Sequence, residues 1–117
     1  MRIVGGVIPM DDIKRGDILF IDIPKTTGSV QCGKRYAIVT SNNVGNKYST
    51  TIMIAPTTTK KKANLPTHMN IMIERESTVL TENILTISKE QIIKKHGHLS
   101  NDDMKKLDRC LKIALGL

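Results

Sequence analysis

A series of short β-rich runs, separated by segments dense in turn residues, occupies residues 18–87. Residues 18–23 are almost continuously apolar and are followed by Pro24, which is typical of a buried strand and its end. Residues 41–46, rich in asparagine, are expected to form a turn. The pattern predicts a mainly β fold, a small antiparallel barrel or curled sheet. The other β-rich runs cover residues 36–40, 51–55, 69–73 and 78–87.

The pattern changes from strands to helices in the C-terminal part. The sequence SKEQ at residues 88–91 matches a capping box and predicts a short helix that ends near Gly97. Ser100 is expected to cap a second helix, because its hydroxyl can accept a hydrogen bond from an amide of the first turn. We expect this second helix to close the barrel through an apolar stripe. The stripe consists of Met104, Leu107, Leu111, Ala114 and Leu115.

A chain of 117 residues is large enough for one hydrophobic core and too short for two domains. We expect residues 14–117 to form a single barrel domain and residues 1–13 to form an N-terminal extension, either a flexible arm or an added edge strand. The apolar part of that extension is short and interrupted by glycines, unlike a signal sequence or a membrane span. Cys32 and Cys110 lie far apart and indicate no disulfide framework, so a cytoplasmic location is predicted.

The chain is basic, with 18 lysines and arginines against 11 acidic residues and a net charge of +7. This excess favours a polyanionic partner, which could be nucleic acid, an anionic membrane or an acidic protein segment. A solvated basic surface is the alternative. Aromatic residues make up only 3% of the chain, which argues against the base-stacking platforms of common single-strand binding modules, since these need several exposed rings.

A glycine-containing loop, GSVQCGKR at residues 28–35, leads into the second β-rich run. Arg35 lies at the junction, where its guanidinium could hold a phosphate through two hydrogen bonds and stabilise charge that builds up on it during transfer. The glycines would let backbone amides approach an anion closely. The alternative is a surface arginine in an ion pair. Further hydrogen-bond donors in this loop are Ser29, Gln31 and Lys34.

Three threonines and three lysines follow the run at residues 51–55, after Pro56, which is expected to fix the exit of the strand. One hydroxyl among Thr57, Thr58 and Thr59 could donate to a phosphoryl oxygen across from Arg35. The alternative is that the threonines reflect β-propensity alone. Lys60 and the two lysines after it could attract an RNA backbone, or could form an ordinary solvated loop.

Two pairs of polar residues require separate consideration. His96 and His98 are expected in the turn between the two helices. They could bind a metal ion or take part in acid–base chemistry, but no acidic residue or cysteine stands at zinc-ligand spacing, so neither a metal nor a cofactor is predicted.

Glu82 and Asn83 fall inside the apolar run at residues 78–87. Because polar side chains in such a strand need partners, we expect this strand to line a groove.

Taken in order, these segments resemble the MazF/PemK family of toxin endoribonucleases. The resemblance covers residues 14–117 and depends on the order and spacing of several short motifs. They include KRGDI at residues 14–18, GKR at 33–35, SNN at 41–43, TIMIAP at 51–56, LPTH at 65–68 and TISK at 86–89.

The resemblance implies a small SH3-like (CcdB/MazF-type) antiparallel barrel closed by a C-terminal helix, and a homodimer with a groove across its interface. It implies metal-independent cleavage of single-stranded RNA at a short specific sequence. In the implied reaction, the ribose 2′-hydroxyl attacks the adjacent phosphate, and 2′,3′-cyclic phosphate and 5′-hydroxyl ends are left. The resemblance also implies a cognate antitoxin whose acidic, disordered tail fills the same groove.

By this resemblance the catalytic pair is Arg35 and Thr58. Val30, Tyr36, Asn83 and Leu85 depart from the family pattern, and the segment at residues 73–78 is shorter than usual. The altered groove leaves a second interpretation open, a non-nuclease binding protein on the same fold, either a gyrase-poison toxin or a nucleic-acid-binding regulator. The family positions for RNA contact correspond to Ser29, Gln31, Asn42, Leu65, Glu82 and Asn83. Because they are basic, Lys34 and Lys60 are also expected to contact RNA.

Overall fold

A curled antiparallel sheet and one long C-terminal helix make up most of the fold. The computed structural model describes residues 3–4, 8–9, 12–25 and 32–117. Within these residues, strands occur at Ile3–Val4 (β1), Ile8–Pro9 (β2), Asp17–Ile23 (β3), Gly33–Val39 (β4), Thr51–Thr58 (β5), His68–Ile73 (β6), Arg75–Leu80 (β7), Leu85–Ser88 (β8) and Ile92–His98 (β9). The α-helices are Asn43–Tyr48 (α1) and Asn101–Leu115 (α2). The large sheet has the order β6-β7-β5-β4-β3-β9, with β8 also paired to β5. The predicted mainly β fold with a C-terminal helix is confirmed.

Strand β5 is the point at which the sheet curls. One of its edges pairs with β4, while the other pairs first with β8 and then, at Thr57 and Thr58, with β7. The strand continues through Pro56 to Thr58, so the expectation that Pro56 fixes its exit was wrong. Its last residues thereby come to lie beside the β6–β7 hairpin.

The single strand predicted over residues 78–87 is in fact two strands, and that prediction was wrong. A 3-10 turn, Thr81–Asn83, separates β7 from β8. The fully buried Thr81 explains the break, because its N–H and its hydroxyl both donate to the carbonyl oxygen of Thr67, at 3.2 and 2.5 Å. Glu82 and Asn83 therefore lie in a turn and not inside a strand.

The two faces of the central strands are both buried, which explains their continuous apolar sequence. On β3, Leu19 and Ile21 point into one hydrophobic cluster, and Ile18 points into a second. Helix α2 covers the second cluster with Leu107, Cys110 and Leu111. Leu115 is 58% exposed, so it does not belong to the apolar stripe as predicted.

Helix α2 begins as the sequence predicts. The hydroxyl of Ser100 accepts a hydrogen bond from the N–H of Asp103 at 3.1 Å, and the acidic residues Asp102 and Asp103 lie in the first turn, where the helix dipole favours negative charge. Gly116 ends the helix in a left-handed conformation, with a φ of 72°.

The capping box at residues 88–91 is present, but the helix predicted from it is not. Ser88 and Gln91 make both capping-box hydrogen bonds around the 3-10 turn Lys89–Gln91. The chain then continues as β9, because pairing with β3 buries Ile92 and outweighs the local helix signal. His96 and His98 consequently lie on β9, and their predicted place between two helices was wrong.

The turn predicted at residues 41–46 contains a short helix. Asn42 accepts a hydrogen bond from the N–H of Gly45 at 2.8 Å and caps α1, so the asparagine-rich sequence begins a helix. The side-chain amide of the fully buried Asn46 donates a hydrogen bond to the carbonyl oxygen of Ser41 at 2.8 Å.

Strands β1 and β2 pair with each other in the antiparallel direction, apart from the large sheet. Ile13 is completely buried in the first hydrophobic cluster, so the packed region begins at least one residue before the predicted boundary at residue 14. The division into an extension and a domain stays a prediction. None of the described helices combines the length and the hydropathy that crossing a membrane requires.

Candidate functional site

A cleft of about 370 Å³ lies where the ends of β4 and β5 approach the β6–β7 hairpin. Four residues predicted from the sequence, Lys34, Arg35, Thr58 and Lys60, meet in it although they come from two separate segments. Antiparallel pairing of β4 with β5 brings these segments together. The complete lining is Phe20, Lys34, Arg35, Tyr36, Thr57, Thr58, Thr59, Lys60, Ile73, Glu74, Arg75 and Ser77.

The guanidinium of Arg35 is held by backbone carbonyl groups from two segments of the chain. Its Nη1 donates to the carbonyl oxygen of Thr57 at 3.2 Å, and its Nη2 donates to that of Cys32 at 3.0 Å. Two anchored nitrogens fix the plane of the guanidinium, a fork of five N–H donors that suits an oxyanion. The arrangement positions a permanent positive charge at the cleft wall.

Thr58 and its neighbour Thr57 have different roles because side chains alternate along β5. Thr57 is 5% exposed, and its hydroxyl donates to the carbonyl oxygen of Tyr36 at 2.9 Å, which joins β5 to β4. The Thr58 hydroxyl oxygen accepts a hydrogen bond from the N–H of Lys60 at 3.2 Å. That bond occupies an acceptor position, so the hydroxyl hydrogen can point to a ligand in the cleft.

Phe20, Glu74 and Arg75 are among the cleft residues that were not selected from the sequence as site residues. Glu74 is the single residue that connects β6 to β7, and its φ of 60° lies in the left-handed region, which is uncommon for a residue with a side chain. Burial, and next the neighbouring Glu74 carboxylate, raise the pKa of Tyr36 above its ordinary value. The local sequence gives no signal for this grouping, since it depends on the short hairpin.

The other predicted site residues lie outside this cleft. Leu65 is 45% exposed and lines a second cleft of about 430 Å³ between the β5–β6 loop and α2. Asn42 caps α1, as described above. Asn83 lies in the 3-10 turn beside Glu82. Ser29, Gln31 and the altered position Val30 lie outside the described residues.

Glu82 anchors the β5–β6 loop through His68 and Thr67. Its Oε2 lies 2.7 Å from Nε2 of His68, while the hydroxyl of Thr67 donates to its Oε1 at 3.2 Å. Nδ1 of His68 lies 2.8 Å from the carbonyl oxygen of Ala63. Partial burial alone would raise the pKa of Glu82, but hydrogen bonds from His68, from its own backbone and from Thr67, with the charge of His68, lower it below the ordinary value.

The histidines of β9 do not assemble a metal site within the described residues, where no group of three metal-ligating side chains is close enough to hold an ion. Nδ1 of His98 lies 2.8 Å from Oδ1 of the buried Asp17, and Nζ of Lys95 lies 3.1 Å from Oδ2 of the same carboxylate. This cluster connects β9 to the start of β3 and has a structural role.

Comparison with known proteins identifies the family. Residues 14–115 match the model of a family described as the PemK-like, MazF-like toxin of type II toxin-antitoxin systems. The chain belongs to this family. It is 40% identical over 111 residues to Endoribonuclease EndoA of Bacillus subtilis (strain 168), and the alignment covers 90% of this chain and 96% of EndoA.

Solved structures of similar proteins agree with the fold described above. One is an endoribonuclease from Mycobacterial species, with a TM-score of 0.76 and 23% identity, over 92% of this chain and 95% of that one. Another is an endoribonuclease in complex with its cognate antitoxin from Mycobacterial species, with a TM-score of 0.75 and 23% identity, over 90% and 96% of the two chains. At this identity, the likeness shows the fold.

The positions at which this chain departs from the MazF/PemK pattern have different surroundings. Tyr36 is half-buried and lines the cleft directly beside Arg35. Leu85 packs against the first hydrophobic cluster from β8, so its apolar character has a structural explanation. Asn83 is half-buried in the 3-10 turn. Among the described departures, Tyr36 and the shortened segment at residues 73–78 are the ones that line the cleft.

Proposed function

We propose that this protein is a toxin endoribonuclease that cleaves single-stranded RNA at a short specific sequence, without a metal ion or cofactor. The observation that carries the proposal is the meeting of Arg35 and Thr58 in one basic cleft of a MazF/PemK family member. Its 40% identity to a protein named Endoribonuclease EndoA supports the same activity.

In the proposed reaction, the ribose 2′-hydroxyl attacks the adjacent phosphorus and displaces the 5′-oxygen of the next nucleotide. The products are a 2′,3′-cyclic phosphate and a 5′-hydroxyl end. Negative charge increases on the phosphoryl oxygens in the transition state, and fixed donors stabilise it best when they need no reorganisation. Arg35 is held in place by two carbonyl oxygens and supplies such donors, and the Thr58 hydroxyl supplies another.

Arg35 acts in this proposal as a phosphate clamp and not as a general base, since a guanidinium is not deprotonated in proteins. Lys34, Lys60 and Arg75 line the same cleft and would attract the RNA backbone. We further propose RNA contacts at Ser29, Gln31, Asn42, Leu65, Glu82 and Asn83. Leu65 lies in the β5–β6 loop, which Thr67 and His68 anchor to Glu82 in the turn after β7. Neither Leu65 nor Glu82 lines the cleavage cleft, so both would contact RNA outside it.

We propose that the protein acts as a cytoplasmic homodimer and is neutralised by a cognate acidic antitoxin. The net charge of +7 and the basic cleft support an acidic partner. Leu65 and Ile113 line the second cleft and are 45% and 47% exposed, which supports burial of this surface in an assembly. Sedimentation of the purified protein should show a dimer, and an acidic peptide from an adjacent reading frame should inhibit cleavage.

Digestion of mixed RNA in the presence of EDTA tests the activity. The wild type should produce discrete fragments, and Arg35→Ala and Thr58→Val should lose most of the cleavage. Thr86→Val is the matched control, because Thr86 is an exposed strand threonine outside the cleft. Undigested RNA at all wild-type concentrations, or full activity in Arg35→Ala, would contradict the proposal and favour a binding function on the same fold.

A further inference from the structure

A row of rings from three strands begins in the cleft that contains Arg35, where Phe20 and Tyr36 line the wall, and continues beyond the lining to His96. The centroids of the Phe20 and Tyr36 rings are 5.0 Å apart and tilted by 56°. The ring of His96 meets that of Tyr36 edge to face, with centroids 5.1 Å apart. The chain has only one phenylalanine and two tyrosines, so two of its three such residues, with a histidine, gather at this place.

A bulge in β9 brings His96 into the row. Ile18 pairs with Gly97 and Leu19 pairs with Lys95, which leaves His96 as the extra residue of the bulge. Bulges re-aim a side chain and occur often beside functional sites. His96 is exposed, and Phe20 and Tyr36 are half-buried. The row is therefore packed against the protein at one end and still presents ring surface to solvent.

Cations lie near these rings, together with the Glu74 carboxylate beside Tyr36. Nζ of Lys94 lies 5.8 Å from the Phe20 centroid, and Lys34 precedes Arg35 on β4. Phe20 and Tyr36 line the cleft together with Arg35. Rings beside lysines and an arginine are the combination that binds single-stranded nucleic acid, since bases stack on the rings while phosphates contact the cations.

We propose that Tyr36, Phe20 and His96 form a stacking subsite for one nucleobase of the RNA, next to the phosphate held by Arg35. The inference depends on the proposed endoribonuclease function and adds a specific contact to it. The low aromatic content argues against a platform of many rings. It does not argue against a single base subsite, because the few rings are concentrated in one place.

Binding of abasic RNA tests the subsite directly. The cleavage site is first mapped with the wild type, and an oligonucleotide is made with a 2′-deoxyribose at the cleaved position so that it binds without reacting. Abasic positions are then placed one at a time on either side of it. For the wild type, one abasic position should weaken binding about tenfold at fixed salt.

Tyr36→Leu should weaken binding of intact RNA by a similar factor, and the same abasic position should cause no further loss in this variant. His96→Ala, at an exposed position, should show a smaller loss at that position only. Tyr36→Phe keeps the ring and should keep the loss of binding at that abasic position. Tyr48→Ala removes a ring that is 75% exposed outside the cleft and controls for general loss of aromatic surface.

If Tyr36→Leu and every abasic position weaken RNA binding independently of each other, the stacking subsite is wrong, while the nuclease proposal stands. A wild type that cleaves no RNA would instead overturn the proposed function and this inference with it. Thermal unfolding of each variant separates loss of binding from loss of folding, and His96→Ala gives a second measurement at a position where folding is not at risk.

Discussion

The guanidinium of Arg35 donates a hydrogen bond to the carbonyl oxygen of Thr57, the residue immediately before Thr58, across 3.2 Å. This contact joins the position of the cation on β4 to that of the hydroxyl on β5. A second bond to Cys32 fixes the same guanidinium from the other side. The orientation of the group, and not only its charge, is therefore determined by the backbone.

Replacing Arg35 by lysine tests the importance of that orientation. Arg35→Lys keeps the charge but loses the planar fork and cannot keep both carbonyl anchors, so the rate of RNA cleavage should fall by about 100-fold or more. Lys34→Ala removes an exposed charge next to it and should cause a smaller loss that depends on salt. Equal rates for Arg35→Lys and the wild type would show that charge alone suffices.

The pair of Glu82 and His68 should make stability depend on pH. Because the folded state lowers the pKa of Glu82, the stabilisation is present above the ordinary carboxyl value of 4.5 and is lost as the pH falls through the folded-state pKa. Urea unfolding of the wild type and of Glu82→Gln should show a difference at neutral pH that shrinks as the pH falls below 4.5 and through the folded-state pKa. A difference that stays constant over this range would mean that the ionised carboxylate is not the stabilising group.

Gly16 and Gly33 provide a matched pair of glycine substitutions, since their φ values are 90° and 91°. A side chain at Gly33 meets nothing within 4 Å, so Gly33→Ala should cost only the backbone strain, about 1 kcal/mol. At Gly16 the new methyl group would also overlap Sδ of Met104 on α2, so Gly16→Ala should cost more than Gly33→Ala by the free energy needed to displace that flexible side chain. Chemical denaturation measures both free energies of unfolding, and a smaller loss for Gly16→Ala than for Gly33→Ala would contradict the contact between Gly16 and Met104.

The sequence predicts the strands that are buried on both faces and fails where tertiary pairing decides. β3 and β4 are recognisable because their apolar residues are consecutive. The capping box at Ser88 is real, but it starts only a 3-10 turn, because the following residues gain more from pairing with β3. The break in the strand at Thr81 depends on a hydrogen bond from its hydroxyl to the carbonyl oxygen of the distant Thr67, which local sequence patterns do not indicate.

The candidate site shows the same division. Arg35 and Thr58 can be selected from their own segments and from the family pattern, and the structure brings them into one cleft. Phe20, Glu74 and His96 cannot be selected in this way. They reach the cleft or its ring row through strand register, a one-residue hairpin connection and a bulge, which depend on distant parts of the chain.

The most direct test of the account is removal of a single 2′-hydroxyl from the RNA. Two oligonucleotides that contain the mapped cleavage site, one of them with a 2′-deoxyribose at the cleaved position, are incubated with the wild-type protein in EDTA. The account predicts that the all-ribose strand is cut to a 2′,3′-cyclic phosphate and a 5′-hydroxyl end, and that the substituted strand is not cut at that position. Cleavage of both strands at the same linkage would contradict attack by the 2′-hydroxyl in the Arg35–Thr58 cleft.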